Sequence, residues 1–304
     1  MAKYEHTVTT EEEGLTVNQI LKRNYKFSAR FRTKMKYQSL VDLNGETVPG
    51  YIKPAPGDVI GVRLPEETSD FPPEDIPLDI IYEDDDLILI NKQPGIIVHP
   101  TKGHPEHTIA NGVMKYMADS GQSFKVRFAN RIDMDTTGIV IVAKNANAQN
   151  TLSSQMRRST VVKKYYALVE GDMAEDHFTI DLPVGRPDEV SIRRAVMYEG
   201  GKDAVSEVNV IRRFDSEKYG PHTLAEVILH TGRTHQIRVH LTHIGNPIAG
   251  DELYGASTDL IDRQALHAYY IEFDHPHTGE RVSFKTELPD DIKTAIKALD
   301  NSAV

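Results

Sequence analysis

A single acidic stretch divides the chain and limits how it can fold. Residues 66–86 carry ten Asp or Glu and no Lys or Arg, and four prolines lie between positions 65 and 77. Proline and like charges together disfavour a packed element, so we expect a linker here. The sequence therefore predicts a module at residues 1–65, an acidic, proline-rich linker at residues 66–86 and a larger domain at residues 87–304.

Charge is distributed unevenly along the chain. The net charge is −10, yet outside residues 66–86 the chain has 35 basic and 35 acidic residues. Bases without neighbouring acids repel one another and gain from contact with phosphates, which indicates a nucleic-acid partner; a solvated helix face is the alternative. The segment at residues 14–41 has no acid and seven bases, which are Lys22, Arg23, Lys26, Arg30, Arg32, Lys34 and Lys36.

Composition excludes several classes of protein. The chain has no cysteine, which excludes disulfides, thiol nucleophiles and zinc–thiolate sites. No apolar run approaches the ~20 residues that span a bilayer. Acidic residues, rather than an apolar stretch, follow the first residues, so a secretory signal is not expected. We expect a cytoplasmic protein without a membrane partner, and a monomer by default.

The two parts of the chain differ in the order of their predicted elements. Residues 14–64 read as short helices, a hairpin around the Asn44-Gly45 turn and a closing strand, which predicts a small α/β module. The larger domain is rich in strands and has few helices, which predicts an α+β fold with a mostly antiparallel mixed sheet. Its apolar strand-like runs lie at residues 87–90, 139–143, 165–169, 204–211, 224–230 and 269–273.

Three segments beside predicted strands hold the candidate functional side chains. Residues 130–138 (NRIDMDTTG) precede a buried strand, where Asp133 is either a reactive carboxylate or a turn residue that accepts hydrogen bonds from following amides. Residues 231–240 (TGRTHQIRVH) supply Arg, His and Gln donors suited to phosphates and base edges. Tyr165 and Tyr166 point to opposite faces of one strand.

Histidines in the second of these segments raise the question of a metal site. His235, His240 and His243 are close in sequence, but the first two are five residues apart and diverge on a helix. No Glu stands in the relation to them that zinc proteases use. We therefore expect no metal here.

Together these segments resemble the RluA/RluD family of RNA pseudouridine synthases across nearly the full length of the chain. The family motif around its catalytic aspartate aligns with residues 130–138, and a second motif aligns residue for residue with residues 231–240. Three shorter motifs align with residues 91–95 (NKQPG), 163–167 (KKYYA) and 266–268 (LHA). Residues 22–36, 42–45 and 57–60 are similar to the RNA-binding domain of ribosomal small-subunit protein four.

The resemblance implies a role for each site residue. Asp133 would be the catalytic carboxylate, Arg238 would pair with it and keep it ionised, and Tyr165 would stack on the target base. Asn130 stands where the family usually has His, which leaves any RNA contact at that position open. The RNA contacts would come from Arg131, Arg233 and His235, and in the N-terminal module from Lys22, Arg23, Lys26, Arg30 and Arg32.

The implied activity is isomerisation of uridine to pseudouridine in structured RNA, namely large-subunit ribosomal RNA, with transfer RNA as the alternative. Isomerisation loses no atoms and changes no oxidation state, so it requires no cofactor. A carboxylate can attack the anomeric carbon, remove a proton from the neighbouring sugar carbon or stabilise a cationic sugar. Sequence does not decide among these three routes.

Two other functions stay open at this point. One is a non-catalytic RNA-binding or RNA-chaperone protein on the same fold, suggested by Asn130. The other is a hydrolase of sugars or nucleotides with Asp133 and Asp135 as acid and base, although loop positions two apart rarely present opposed carboxylates.

Overall fold

A computed structural model describes residues 3–25, 27, 29–65, 67–101 and 103–300. Its helices are α1 (Val17–Asn24), α2 (Ala29–Tyr37), α3 (Ile109–Ser120), α4 (Ala146–Arg157), α5 (Gln236–His243) and α6 (Asp290–Asp300). Its strands are β1 (Tyr4–Thr7), β2 (Val41–Leu43), β3 (Glu46–Thr47), β4 (Val59–Val62), β5 (Asp79–Glu83), β6 (Leu87–Lys92), β7 (Arg127–Phe128), β8 (Thr137–Ala143), β9 (Val162–Glu170), β10 (His177–Asp181), β11 (Val184–Gly185), β12 (Ala195–Val196), β13 (Val205–Ser216), β14 (Gly220–Leu229), β15 (Leu266–Asp274) and β16 (Arg281–Lys285). Among the described residues, every helix is too short or too polar to span a bilayer.

The N-terminal module has its own sheet and its own buried side chains. The strand order is β1-β4-β2-β3, and α1 and α2 contribute Ile20 and Phe31 to a core that also contains Ile60. The predicted hairpin forms between β2 and β3: Asn44 and Gly45 both have positive φ angles, of 53° and 89°, as a tight hairpin turn requires. β1 was not predicted, because its sequence (YEHT) has one buried residue, Tyr4, and shows no apolar strand pattern.

The larger domain is built on a ten-stranded sheet, which confirms the predicted α+β class. The main path runs β10-β13-β14-β9-β15-β8-β6-β5, with β16 paired to β15 and β7 paired to β8. The pair β15–β8 is parallel, and the other pairs of this sheet within the described residues are antiparallel.

Helices cover both faces of the sheet at β6 and β8. Ile88 and Ile90 pack with residues of α3, whereas Leu87 and Leu89 pack with residues of α4. Both strands therefore have continuous apolar sequences rather than alternating ones. This pair of strands is a rigid support for the loop that immediately precedes β8, at residues 130–136.

The C-terminal end of the predicted linker belongs to the sheet. Residues 79–83 form β5 and pair with β6, so the assignment of these residues to a linker is wrong. Ile80, Ile81 and Tyr82 pack on the two cores beside β6, and an edge strand tolerates the acids around them. The described residues 67–78 have no regular structure, as expected, but Phe71 and Leu78 pack beside α3. The same pairing contradicts the predicted boundary at 86/87, because the sheet of the larger domain already includes residues 79–83. The boundary at 65/66 stays a prediction.

Candidate active site

The loop that carries Asp133 is fixed at both ends. The Asn130 side chain donates to the backbone oxygen of Ile139 (2.9 Å) and accepts from the backbone N–H of Ile141 (2.8 Å). At the other end, Gly138 has a φ of +110°, and a Cβ there would lie 2.2 Å from the backbone oxygen of Ala268. Only glycine permits β8 to approach β15 this closely. The Asn130 side chain thus holds the loop by hydrogen bonds to the backbone of β8. Its presence does not favour the hypothesis of a non-catalytic RNA-binding protein.

Arg238 joins two carboxylates from distant parts of the chain. Its Nη1 lies 3.0 Å from Asp133 Oδ2, while Nε and Nη2 bind the two oxygens of Asp251 at 2.7 and 2.8 Å. Arg238 is on α5, and its side chain is 7% exposed against 25% for Asp133 and 1% for Asp251. Burial disfavours the charged guanidinium, but the bonds to Asp251 and Asp133 outweigh it and raise the pKa of Arg238.

The side chain of Asp133 binds Arg238 and does not accept the hydrogen bond of its own turn. The hydrogen bond within the turn runs from the Thr136 N–H to the backbone oxygen of Asp133, at 3.2 Å. The carboxylate of Asp135 instead accepts from the Gly95 N–H at 3.2 Å. Because the two carboxylates have separate partners, this loop does not present them as an opposed acid–base pair.

His235 and Tyr254 complete the wall beside the ion pair. His235 Nε2 lies 3.8 Å from Asp133 Oδ2, and its Nδ1 lies 2.9 Å from the Tyr254 hydroxyl. Burial lowers the pKa of His235, although Asp133 acts in the opposite direction, so the imidazole is neutral near pH 7. The Tyr254 ring also covers the Arg238 guanidinium, with 5.0 Å from Cζ to the ring centroid.

Lys92 has a buried side chain that binds the backbone of the loop that carries Asp133. Its side chain is 1% exposed and donates to the backbone oxygens of Gln93 (2.8 Å), Ile96 (2.9 Å) and Met134 (2.6 Å). Burial lowers the pKa of Lys92 to about 7, against the effect of Asp135. The contact with Met134 fixes the backbone directly after Asp133.

Tyr165 lies in the core next to Asp133. It is 8% exposed on β9, and burial, followed by the charge of Asp133, raises the pKa of its phenol. With a raised pKa the phenol hydroxyl stays protonated. Tyr165 is therefore better suited to offer an uncharged ring surface than to act as a base. Tyr166 points to the other face and stacks on Tyr269 at 3.9 Å, as the alternation predicts.

The predicted RNA-contact residues fall into separate groups. His235 is part of the wall around Asp133, whereas Arg131 and Arg233 are exposed near it, with Arg233 Nε bound to the backbone oxygen of Asp203. Lys22, Arg23 and Arg32 are exposed on α1 and α2. Lys26 and the side chain of Arg30 lie outside the described residues.

The sequence did not indicate a role for Asp251 or Lys92. Asp251 follows Gly250, thirteen residues after Arg238. A Cβ at Gly250 would lie 2.1 Å from the backbone oxygen of Arg263, so the close approach of the two segments requires glycine. A lone acid among Gly, Ala and Ile residues (IAGD) was the available sign of a buried partner for Arg238. Among the described residues, His, Asp and Glu side chains form no cluster of three suited to a metal ion.

Comparisons with known proteins show the family to which the chain belongs. A family model described as RNA pseudouridylate synthase matches residues 86–243. The chain is 43% identical over 264 residues to the uncharacterized RNA pseudouridine synthase YlyB of Bacillus subtilis, covering 85% of each chain. It is 34% identical over 313 residues to ribosomal large subunit pseudouridine synthase D of Vibrio parahaemolyticus, covering 97% of this chain and 94% of that relative.

A solved structure has the same fold. Human RNA pseudouridylate synthase domain containing 1 aligns with a TM-score of 0.58 at 24% identity, covering 75% of this chain and 97% of that one. The family model matches more than half of the chain, and the relatives are at least 34% identical over most of their length. These two findings show the family. The chain belongs to the RluA/RluD family of RNA pseudouridine synthases.

Proposed function

We propose that this protein isomerises uridine to pseudouridine in large-subunit ribosomal RNA, with Asp133 as the catalytic carboxylate. The observation that carries the proposal is the ion pair between Asp133 and Arg238, a partly exposed carboxylate held by a buried, doubly paired guanidinium. The choice of RNA rests on the relative from Vibrio parahaemolyticus, which is named for the large ribosomal subunit.

The reaction needs one ionised group placed at the ribose. The bond from uracil N1 to C1′ breaks, the base turns, and a bond from C5 to C1′ forms; C5 loses a proton and N1 gains one. Asp133 is suited to act on the ribose because Arg238 binds it and fixes one of its oxygens, while the carboxylate stays partly exposed. Attack at C1′, removal of a proton at the neighbouring carbon and stabilisation of a cationic sugar all require the same carboxylate.

The substrate uridine must leave its stack to reach Asp133. Extrusion costs a few kcal/mol, and stacking on an aromatic ring returns about 1–3 kcal/mol. Tyr165 is the proposed stacking partner, acting as a neutral ring. Arg131, Arg233 and His235 are proposed to contact the RNA around the extruded nucleotide.

The N-terminal module is proposed to bind RNA through its exposed bases. Lys22, Arg23 and Arg32 support this role by their exposure on two neighbouring helices, and the arrangement is similar to the RNA-binding domain of ribosomal small-subunit protein four. Because the proposed substrate is ribosomal RNA, we propose that the protein acts in the cytoplasm, as a monomer.

Pseudouridine mapping tests the proposed function. Large-subunit ribosomal RNA of Bacillus subtilis sequence, transcribed in vitro and therefore unmodified, should gain pseudouridine at one or a few positions on incubation with the purified protein, without release of free uracil. Release of uracil would indicate hydrolysis instead. RNA that is bound but unchanged would indicate the non-catalytic alternative.

A further inference from the structure

A basic cleft lies between the N-terminal module and the catalytic domain. Its cavity, of about 510 Å³, is lined by Lys34 of α2 on one side and by Lys125, Arg127 and Arg131 on the other. A second cavity, of about 570 Å³, adjoins it and shares Lys125 and Arg127. Arg131 is only two residues from Asp133, so the cleft leads from α2 toward the active-site loop.

The two walls of the cleft are anchored to each other. Tyr4 of β1 stacks on His277 at 5.0 Å between ring centroids, and its hydroxyl accepts from the Asn147 side chain at 3.2 Å. Lys3 donates to the backbone oxygen of Asp85 at 2.8 Å. None of these contacts involves Lys34, Lys125, Arg127 or Arg131, so the cleft does not need an occupant to keep its width.

Glu67 of the linker lies between the two cavities. Its carboxylate binds Lys34 at 3.2 Å with one oxygen and Arg127 with the other, and so pairs a base from each wall. Arg127 is 8% exposed and Glu67 27%. Burial opposes ionisation of Glu67, but the bonds to Lys34 and Arg127 outweigh it and lower its pKa, so an anion occupies this position.

We propose that this cleft binds the phosphate backbone of the RNA substrate, and that the Glu67 carboxylate occupies a phosphate position in the free protein. The inference rests on the proposed function, because it names the path by which RNA reaches the Asp133 loop. Carboxylate and phosphate oxygens accept from the same guanidinium and ammonium donors. The remaining bases of the cavity, Lys125 and Arg131, are exposed and available to further phosphates.

A bound phosphate would displace Glu67 from Lys34 and Arg127. The exchange leaves the number of ion pairs similar while releasing the counterions of the RNA, which favours binding at low salt. It also predicts that Glu67 weakens RNA binding, although it forms two ion pairs in the free protein. A purely structural carboxylate at this position predicts the reverse.

Two substitutions of opposite sign test the cleft. The probe is protein-free large-subunit ribosomal RNA of Bacillus subtilis, with the dissociation constant measured at several KCl concentrations. Glu67→Gln should tighten binding about fivefold, and Lys34→Gln should weaken it about fivefold and lower the slope of log K against log salt by about 1. The matched controls are Asp70→Asn on the same linker and Lys297→Gln on α6, which line neither cavity and should leave both quantities unchanged.

The outcomes separate this inference from the proposed function. Weaker or unchanged binding by Glu67→Gln overturns the cleft, and so does a Lys34→Gln effect no larger than that of Lys297→Gln. Thermal unfolding of each variant shows whether a change in affinity accompanies a loss of stability. A change in affinity explained by such a loss also counts against the cleft. Pseudouridine formed by the unaltered protein in the same RNA is scored separately, so either claim can fail alone.

Discussion

At the scale of single residues, the central feature is how neighbouring side chains position the carboxylate of Asp133. An exposed carboxylate would be hydrated and mobile, whereas a deeply buried one without a charged partner would lose its charge. Asp133 is one quarter exposed and has one oxygen fixed by Arg238, whose orientation depends in turn on Asp251. The carboxylate is thus reachable from solvent and still ordered by the protein.

Asp251 should influence catalysis through Arg238. Asp251→Asn removes the charge from a two-bond contact, so Arg238 loses its fixed plane and Asp133 loses a well-placed partner. We expect kcat for pseudouridine formation to fall about 10- to 100-fold with little change in KM for RNA. Glu252→Gln, an exposed neighbouring position, is the control. An equal loss in both variants, or a loss confined to KM, would contradict the role of Asp251.

The family resemblance indicated Asp133, Arg238 and their pairing, but not the second carboxylate that holds Arg238. Asp133 and Arg238 lie in polar segments next to buried strands, a position that drew attention to them but left Asp133 open to a turn role. Asp251 and Lys92 lie among apolar or turn residues, and their importance comes from burial and from partners such as the Met134 carbonyl. Contacts of this kind depend on packing between distant segments, which no local pattern encodes.

At the scale of elements, the loop of Asp133 depends on the parallel pairing of β8 with β15. His267 of β15 is 1% exposed and links β8 to the residue after β16: Nδ1 lies 2.9 Å from Thr137 Oγ1 and Nε2 lies 3.1 Å from Thr286 Oγ1. Burial, reinforced by the charge of Arg263, lowers the pKa of His267 to about 4. The folded protein therefore keeps a neutral imidazole where the loop that carries Asp133 joins β8.

This histidine should make the fold sensitive to acid. Because the unfolded chain takes up the proton near pH 6.5 and the folded chain only near pH 4, stability is complete above pH 6.5 and declines as the pH falls toward 4. The loss amounts to about 2 kcal/mol at pH 5. Urea unfolding at pH 7 and pH 5 should show a smaller difference for His267→Gln than for the unaltered protein.

The control for this experiment is His104→Gln, a substitution of an exposed histidine. It should leave the difference between the two pH values unchanged. A pH dependence of His267→Gln equal to that of the control would show that His267 is not the group responsible.

Elements with strong apolar patterns, and the hairpin with its Asn-Gly turn, were predictable, whereas the edge strand β5 was not. The buried runs of β6, β8 and β9 appear where the sequence indicates them. In contrast, β5 has three apolar residues among acids, and its charge concealed its pairing with β6. An edge strand is stabilised by a neighbour that its own sequence does not reveal.

At the scale of the whole molecule, a net charge of −10 coexists with a basic surface on the module. The acids are concentrated in residues 66–86, and several of them have local partners: Glu67 binds Lys34, and Glu83 binds Lys144. The bases of α1 lie away from that segment in sequence and are exposed. Net charge is therefore a poor guide to what this protein binds.

Neutralising the bases of α1 should weaken RNA binding in a salt-dependent way. Lys22→Gln/Arg23→Gln removes two exposed charges and should lower the slope of log K against log salt by about 1.5–2. The activity of the enzyme at saturating RNA should stay close to its original value. Lys293→Gln/Lys297→Gln on α6 carries the same charge change, and an equal effect of both pairs on the slope would contradict a specific role of the module.

The most direct measurement of the central claim is the single-turnover rate of pseudouridine formation by Asp133→Asn. With RNA saturated by protein, the rate should fall by at least about 10³-fold, while the dissociation constant stays within about threefold, because one carboxylate is required for the chemistry but not for binding. Asp135→Asn, two residues along the same loop, should keep most of the rate. Pseudouridine formation by Asp133→Asn at a rate near that of the unaltered protein would contradict the account.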